Sequence, residues 1–189
     1  MLAKLHQPIT FSLPVDLPGL GPQPPTRPHV DALSAWSEEA VRLAYHLTHD
    51  REAALDLSQE AFVKAVEALP SLQDSACGRV WFMRIVVNLC RDWHRRRAAE
   101  RKALGELVNG SGAQSDPAFS LQHKEALERV RAALMSLPLD YREALALVVV
   151  EAYSPKEAAA VLGIADGTLR WRLFEARRLL KEELECEKG

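Results

Sequence analysis

The stretch 79–97 contains neither Gly nor Pro and therefore predicts one continuous helix. At about 100° per residue, its apolar side chains fall on one face of that helix. These side chains are Phe82, Ile85, Val86, Leu89 and Trp93. We expect this face to lie in a helical core, which commits at least this half of the chain to an α-helical fold.

A second face of the same helix carries Arg84, Asn88, Arg91 and Arg95, with Trp81 beside them. Arginine neutralises phosphate, asparagine pairs with a base edge, and an indole stacks on an unpaired base. Most charge runs are only solvated helix faces. The combination of arginine, asparagine and tryptophan on one helix face favours a solvent-facing surface that binds a nucleic-acid strand.

Composition leaves that interpretation open. The chain has 189 residues, 48% of them hydrophobic and 26% charged, with a net charge of −2. The charges are segregated, because six basic and only two acidic residues lie between Arg91 and Lys102. A near-neutral chain can therefore still carry the local basic patches that bind nucleic acid.

The cysteines and the apolar runs exclude several classes of protein. The three cysteines form no C-x-x-C pair, which argues against a disulfide framework and a zinc site, and Cys90 is expected to be a small packed residue. Prolines interrupt the N-terminus, so no signal peptide is expected, and no run reaches the length of a membrane span. We expect a cytoplasmic protein without membrane insertion.

The chain divides into four segments. Residues 1–30 are rich in proline and predict a disordered arm. Residues 31–102 are helical in pattern, 103–120 have the Gly, Ser and Pro of a flexible linker, and 121–189 are helical again. No segment favours a strand. The expected fold class is therefore all-α, with two small helical domains.

Apolar spacing gives the expected core stripes of the other helices. In a helix over 51–69, which Pro70 ends, the stripe is Leu55, Phe62, Val66 and Leu69. In the first helix of the second half, it is Leu127, Val130, Leu134 and Leu137.

The segment from Pro155 to Lys181 has the pattern of a helix-turn-helix. Ser154 and Glu157 predict a capping box around Pro155, Gly163 ends the first helix, and a second helix opens near Asp166. Leu169, Leu173, Ala176 and Leu180 face inward, whereas Arg170, Trp171, Phe174, Arg177, Arg178 and Lys181 face outward. Thr168 lies near the helix start, where it can contact phosphate. Exposed aromatics beside arginines favour DNA binding over the alternative, a hairpin that packs on another subunit.

Two further clusters have less specific patterns. Asp56, Gln59 and Glu60 form an acidic and amide patch, which by itself indicates only a solvated helix face. His46 and His49 share a helix face next to Asp50, but the sequence places no further metal ligand. No nucleophile elbow, phosphate loop or catalytic carboxylate pair is present, so neither an enzyme nor a cofactor is indicated.

The order of these features resembles the extracytoplasmic-function (ECF) group of bacterial RNA polymerase sigma factors, over roughly residues 33–183. The first half of the resemblance lies in Asp56-Leu57-Ser58-Gln59-Glu60-Ala61-Phe62, in Trp81 to Leu89, and in Asp92 with Arg95-Arg96-Arg97. The second half lies in Leu137-Pro138, Tyr141-Arg142, Ser154 to Ala159, Gly167 to Arg170, Arg172-Leu173 and Ala176-Arg177. The family often has a small serine where Trp171 stands.

The resemblance implies a sigma factor that binds core polymerase and directs promoter-specific initiation. Asp56, Gln59 and Glu60 would hold the β′ coiled coil, and the 79–97 helix with loop 72–78 would read and melt the minus-ten element. Asn88 matches the base-reading asparagine of the family. The last helix would bind the minus-thirty-five element while its domain rests on the β flap, and an anti-sigma protein is an expected partner.

Two other functions stay open at this point. A stand-alone helix-turn-helix regulator would need only the last helix, and its first half would sense a ligand or dimerise. A metal-dependent phosphohydrolase would use His46, His49 and Asp50.

Overall fold

The computed structural model describes residues 30–69, 77–104 and 121–186. All regular structure in these ranges is helical and no strand occurs in them, which confirms the all-α fold class. The proline-rich arm before Val30, residues 70–76, which include 72–76 of the predicted loop, and residues 105–120 of the predicted linker lie outside the described ranges.

Four helices form the N-terminal half. They are α1 (Val30–Ala35), α2 (Ser37–Thr48), α3 (Arg51–Ala68) and α4 (Gly78–Ala103). The link between α2 and α3 is short because His49 ends α2 in the left-handed conformation and Asp50 caps α3. The Asp50 carboxylate accepts a hydrogen bond from the Ala53 backbone N–H at 3.0 Å. Helix α4 continues six residues beyond the predicted end at Arg97.

The core stripe predicted for α3 is wrong. Leu55 and Val66 are 43% and 36% exposed, and Phe62 and Leu69 are only partly buried. The buried positions are instead Ala54, Leu57, Ser58, Ala61 and Ala65. Helix α3 packs on α2 and α4 through this face of small side chains, so the face that meets the neighbouring helices, rather than the size of the apolar side chain, decides burial.

The C-terminal half holds α5 (Leu121–Ser136), α6 (Leu139–Leu145), α7 (Pro155–Leu162) and α8 (Asp166–Cys186), with a π-helical turn at Ala146–Val150 after α6. The capping box at Ser154 and Glu157 is present, which confirms the predicted start of α7. Gly163 ends α7 with a φ of 69°, a conformation that glycine adopts without strain. Val130 of the predicted α5 stripe is 46% exposed, while Ala133 and Leu137 are buried.

The two halves pack against each other through one apolar cluster. Helix α4 contacts α7, and α2 contacts α6 and the π-helical turn. Leu43, Met83 and Val87 from the first half share this cluster with Leu147 and Val161 from the second. The sequence predicted two helical domains but not this contact between them.

Candidate nucleic-acid interfaces

The outer face of α8 is basic and aromatic. Trp171 is 54% exposed and Phe174 is 64% exposed, and the edge of the Trp171 ring meets Tyr141 at a centroid distance of 5.8 Å. Arg170, Arg177, Arg178 and Lys181 are also exposed, while Leu169, Leu173 and Ala176 are buried beneath them. The predicted division of this helix is therefore confirmed, apart from Leu180, which is only partly buried.

Two arginines of this face pair with acidic neighbours on the same helix. Arg170 pairs with Asp166 at 2.5 Å, and Arg178 pairs with Glu175 at 2.8 Å and Glu182 at 2.6 Å. Exposed ion pairs of this kind contribute roughly 0.2–1 kcal/mol, so phosphate can displace them at little cost. Thr168 is exposed in the first turn of α8, where the backbone N–H groups of the helix start point outward.

Arg84 does not face solvent as the sequence predicted. Its Nε donates a hydrogen bond to the Val161 carbonyl at 3.2 Å, and its Nη2 donates to the Ala160 carbonyl. Its guanidinium would also lie 3.5 Å from a Cβ at Gly163, so it covers the C-terminal end of α7. Helix C-termini attract cations, which explains why this arginine is retained there although desolvation lowers its pKa.

Arg91 is also engaged by the second half of the chain. Its Nε and Nη2 donate to the two carboxylate oxygens of Glu143 at 2.7 and 2.6 Å, a bidentate pair. Glu143 is fully buried and the Arg91 side chain is 30% exposed. Desolvation raises the pKa of Glu143 although Arg91 opposes the shift, while the hydrogen bond to Glu143 raises the pKa of Arg91.

The rest of the predicted row is more open. Asn88 and Arg95 are exposed, and Arg95 pairs with Asp92 one turn away. Trp81 is partly buried. The expectation that this row faces solvent is therefore correct for Asn88 and Arg95 and wrong for Arg84 and Arg91, whose guanidiniums the C-terminal half already occupies.

Further polar contacts between the halves involve residues that the sequence did not single out. The Tyr153 hydroxyl donates to Glu39, which also accepts from Arg79 at 2.9 and 2.8 Å. Burial raises the pKa of Tyr153, and the Arg79 guanidinium lies 4.2 Å from its ring centroid. Arg42 pairs with the nearly buried Glu151 at 3.0 Å. The sequence signal for such residues is an isolated acid in an apolar run, as Glu143 and Glu151 are.

Arg142 ties three chain segments together. Its guanidinium donates to the carbonyls of Leu47 at 3.0 Å, Met135 at 2.9 Å and Leu137 at 3.1 Å. These carbonyls lie at the ends of α2 and α5, where backbone acceptors have no helical partner. Arg142 is 8% exposed, so desolvation lowers its pKa. The Tyr141-Arg142 motif thus has a structural role in this chain.

The outward face of α3 carries the predicted acidic patch. Asp56, Gln59 and Glu60 are all exposed. A groove of about 500 Å³ runs between α3 and α4, and its lining includes Asp50, Asp56, Glu60, Trp93 and Arg97. Leu55, Val63 and Val66 are exposed on the same helix, at 43%, 55% and 36%. This side of α3 therefore combines carboxylates with apolar side chains that are partly open to solvent.

The cluster of His46, His49 and Asp50 gains no further ligand within the described ranges. No group of three His, Cys, Asp or Glu side chains suited to a metal lies in 30–69, 77–104 or 121–186. Asp50 caps α3 and accepts from Arg97 at 3.3 Å, and desolvation lowers the pKa of both His46 and His49. Cys90 is buried as predicted, which raises its pKa to about 12. None of the helices within the described ranges combines the length and apolar composition that a bilayer crossing needs.

Comparison with known proteins agrees with this arrangement. Residues 33–100 match the family model of Sigma-70 region 2, and residues 127–180 match that of Sigma-70 region 4. An ECF RNA polymerase sigma factor of Rhodopseudomonas palustris, EcfG, is 35% identical over 72% of this chain and 74% of its own length. SigE of Mycolicibacterium smegmatis is 33% identical over 81% of this chain. The chain spans 63% of the length of SigE and 39% of the length of another relative, the probable sigma factor RfaY of Xanthomonas campestris.

Solved structures show the same fold. The sigma factor RpoE of Bartonella quintana, solved in complex with the anti-sigma factor NepR, matches with a TM-score of 0.68 at 27% identity, over 82% of this chain and 95% of that one. The helical halves and their exposed basic faces define a DNA-binding protein of the sigma-70 class. Within that class, the chain belongs to the ECF RNA polymerase sigma factors.

Proposed function

We propose that this protein binds core RNA polymerase and directs promoter-specific transcription initiation. The exposed aromatic and basic face of α8 carries the proposal, because Trp171 and Phe174 lie in solvent beside Arg170 and Arg177. Large exposed aromatics in a helix-turn-helix are typical of a surface with a binding partner. The protein would act as a cytoplasmic bacterial initiation factor rather than as an enzyme.

Helix α8 would bind the minus-thirty-five element in the major groove. Its arginines can donate to guanine or phosphate, and its rings can contact thymine methyl groups. Thr168 and the open N–H groups of the helix start can hold a backbone phosphate. The large Trp171, where the family often has serine, would give this protein its own sequence preference at that position.

Helix α4 would open and read the minus-ten element. Asn88 would read a base, Trp81 would stack and Arg95 would neutralise phosphate. Arg84 and Arg91 would add to this charge from positions where they already bind the end of α7 and Glu143. Separating the strands costs roughly 1.4 kcal/mol of stacking per base step. Such a cost requires the additional binding free energy of polymerase, so we expect weak binding of the lone protein to duplex promoter DNA.

The outward face of α3 would hold the polymerase. Its exposed Asp56 and Glu60 suit a basic partner, and its exposed Leu55 and Val66 supply apolar area. The β′ coiled coil is the partner that family membership suggests, with the C-terminal half resting on the β flap. An anti-sigma protein would compete for these surfaces, since the structural relative RpoE was solved with one.

Affinity for purified core polymerase tests the docking role. The double substitution Asp56→Ala with Gln59→Ala should weaken association about tenfold or more, as loss of a central interface pair does. Glu183→Ala removes one charge from an exposed position near the end of α8 and is the matched control. Equal affinity of the double variant and the control for core polymerase would refute the docking role of α3.

A further inference from the structure

The outward face of α8 has a cationic side and an aromatic side. At about 100° per residue, Arg170 and Arg177 lie on one side of Phe174, and Trp171 lies on the other. The arginine nearest to Trp171 around the helix is Arg178, which already pairs with two carboxylates of the same helix. The side that carries Trp171 therefore presents an apolar ring beside a guanidinium whose charge is balanced.

Helix α6 fixes the position of the Trp171 ring. The Tyr141 ring meets it in a T-shaped contact, with the centroids 5.8 Å apart and an interplanar angle of 71°. Aromatic pairs prefer this arrangement. The residue before Tyr141, Asp140, accepts a hydrogen bond at 2.6 Å from Arg172, so two consecutive residues of α6 hold two consecutive residues of α8. Trp171 is still 54% exposed, so the protein orients the ring and leaves it open to a partner.

The chemistry of an indole limits what this ring can recognise in the major groove. An indole has one N–H donor and no acceptor, and most of its contact surface is apolar. The apolar group that a base presents in the major groove is the C5-methyl of thymine. A cytosine that is methylated at C5 presents the same group at the same place, whereas uracil and unmethylated cytosine lack it.

We propose that Trp171, oriented by Tyr141, reads the C5-methyl group of one pyrimidine in the minus-thirty-five element. The inference rests on the proposed function and deepens it, because it assigns one feature of one base to one side chain. Trp171 is then a specificity-determining residue, and Tyr141 is a positioning residue that acts through it. Thymine and 5-methylcytosine both satisfy this contact, so promoter recognition responds to cytosine methylation at this position.

Deoxyuridine in place of thymine removes only the methyl group and keeps the base pair. The templates are synthetic duplexes that carry a promoter selected by the reconstituted holoenzyme, with each thymine of the minus-thirty-five element on either strand replaced in turn. Competition with a fluorescein-labelled duplex of the unchanged sequence measures the affinity of the holoenzyme. Loss of one buried methyl group changes an equilibrium constant about fourfold, so one replacement should weaken binding by about that factor.

Substitutions of the two exposed rings identify the side chain that reads the methyl group. Trp171→Ser removes the indole, so the duplexes with thymine and with deoxyuridine at that position should bind equally well. Phe174→Ala is the matched control, because it removes another exposed ring from the same helix. It should weaken binding to both duplexes and keep the difference of about fourfold between them.

Substitutions of Tyr141 test the positioning role. Tyr141→Ala leaves the indole free to rotate, so the difference between thymine and deoxyuridine should shrink. Tyr141→Phe keeps the ring that meets Trp171 and should keep the difference. A purely structural role of Tyr141 would change the affinity for both duplexes equally. Circular dichroism checks that both variants remain helical.

Cytosine methylation gives an independent test of the same contact. The T·A pair at the sensitive position is replaced by C·G, with the cytosine either unmethylated or methylated at C5. Methylation should strengthen binding of the holoenzyme about fourfold, because the two duplexes differ only in that methyl group. It should leave the affinity of the Trp171→Ser holoenzyme unchanged.

The outcomes distinguish the methyl contact from the proposed function. A difference that disappears in Trp171→Ser and persists in Phe174→Ala supports the inference. Promoter-specific binding that no deoxyuridine replacement weakens, or selected elements without a shared thymine, would overturn it and leave the proposed function intact. The same holds for a difference that Trp171→Ser does not alter, and for a dimer of the free protein that Trp171→Ser makes monomeric without any effect on base preference. A holoenzyme that binds these duplexes no better than core polymerase would refute the proposed function, and with it the methyl contact.

Discussion

Replacing Arg142 with alanine should destabilise the protein substantially. The substitution removes the donor for three carbonyls at the ends of α2 and α5, at 2.9–3.1 Å. A buried acceptor left without its donor costs about 1–3 kcal/mol. The Leu47 carbonyl keeps a second partner, His94 Nε2 at 2.9 Å, so two acceptors lose their donor. Even at the lower bound, these two losses sum to about 2 kcal/mol in the free energy of unfolding.

Thermal unfolding followed by circular dichroism measures this effect. For chains of 150–250 residues, 1 kcal/mol shifts Tm by roughly 2–4 °C, so Arg142→Ala should lower Tm by about 4–8 °C. Arg142→Lys should recover only part of the loss, because one ammonium cannot reproduce the planar fork that reaches both helix ends. Arg129→Ala, an exposed arginine of α5, is the control. A decrease below about 2 °C for Arg142→Ala would refute a structural role for this side chain.

Four further substitutions give independent expectations. Ser154→Ala removes the α7 cap and should cost about 1 kcal/mol in thermal unfolding, and an unchanged Tm would contradict this. Burial lowers the pKa of His49 to about 4, so its neutral form stabilises the fold and that stability is lost as pH falls from 6.5 towards 4. His49→Asn, which tolerates the left-handed φ of 52°, should therefore reduce the loss of Tm between pH 7 and pH 5, and an identical loss would exclude His49 as a contributor. Asn88→Ala should reduce permanganate reactivity at the minus-ten region more than recruitment to duplex DNA, and equal effects would argue against base reading. Arg177→Ala should lower the salt slope of binding to the minus-thirty-five element by about 0.9, and an unchanged slope would exclude a phosphate contact.

Local signals predicted the helices well. The run around Phe82, which contains neither Gly nor Pro, correctly predicted helix α4. Ser154, Glu157 and Gly163 correctly predicted both ends of α7, because capping depends only on residues that are close in sequence. The outward face of α8 was also predictable, because the spacing of apolar and basic residues along one helix can be read from the sequence.

Tertiary burial was less predictable. Alanines rather than Leu55 and Val66 line the inner side of α3, because the placement of the neighbouring helices decides which face of α3 is covered. Arg84 and Arg91 are shielded from solvent by partners more than fifty positions away in the sequence. Arg84 contacts the end of α7, and Arg91 contacts Glu143. A helical wheel describes one helix and contains no information about such a contact.

Run-off transcription with purified core RNA polymerase tests promoter-directed initiation most directly. Genomic fragments selected by the reconstituted holoenzyme serve as templates, with core polymerase alone and the Asp56→Ala, Gln59→Ala variant as controls. We predict discrete transcripts that start downstream of paired minus-thirty-five and minus-ten elements and that depend on this protein. Tight, specific binding of the lone protein to duplex DNA, with no transcript beyond that of core polymerase, would contradict a sigma-factor role and favour a stand-alone regulator.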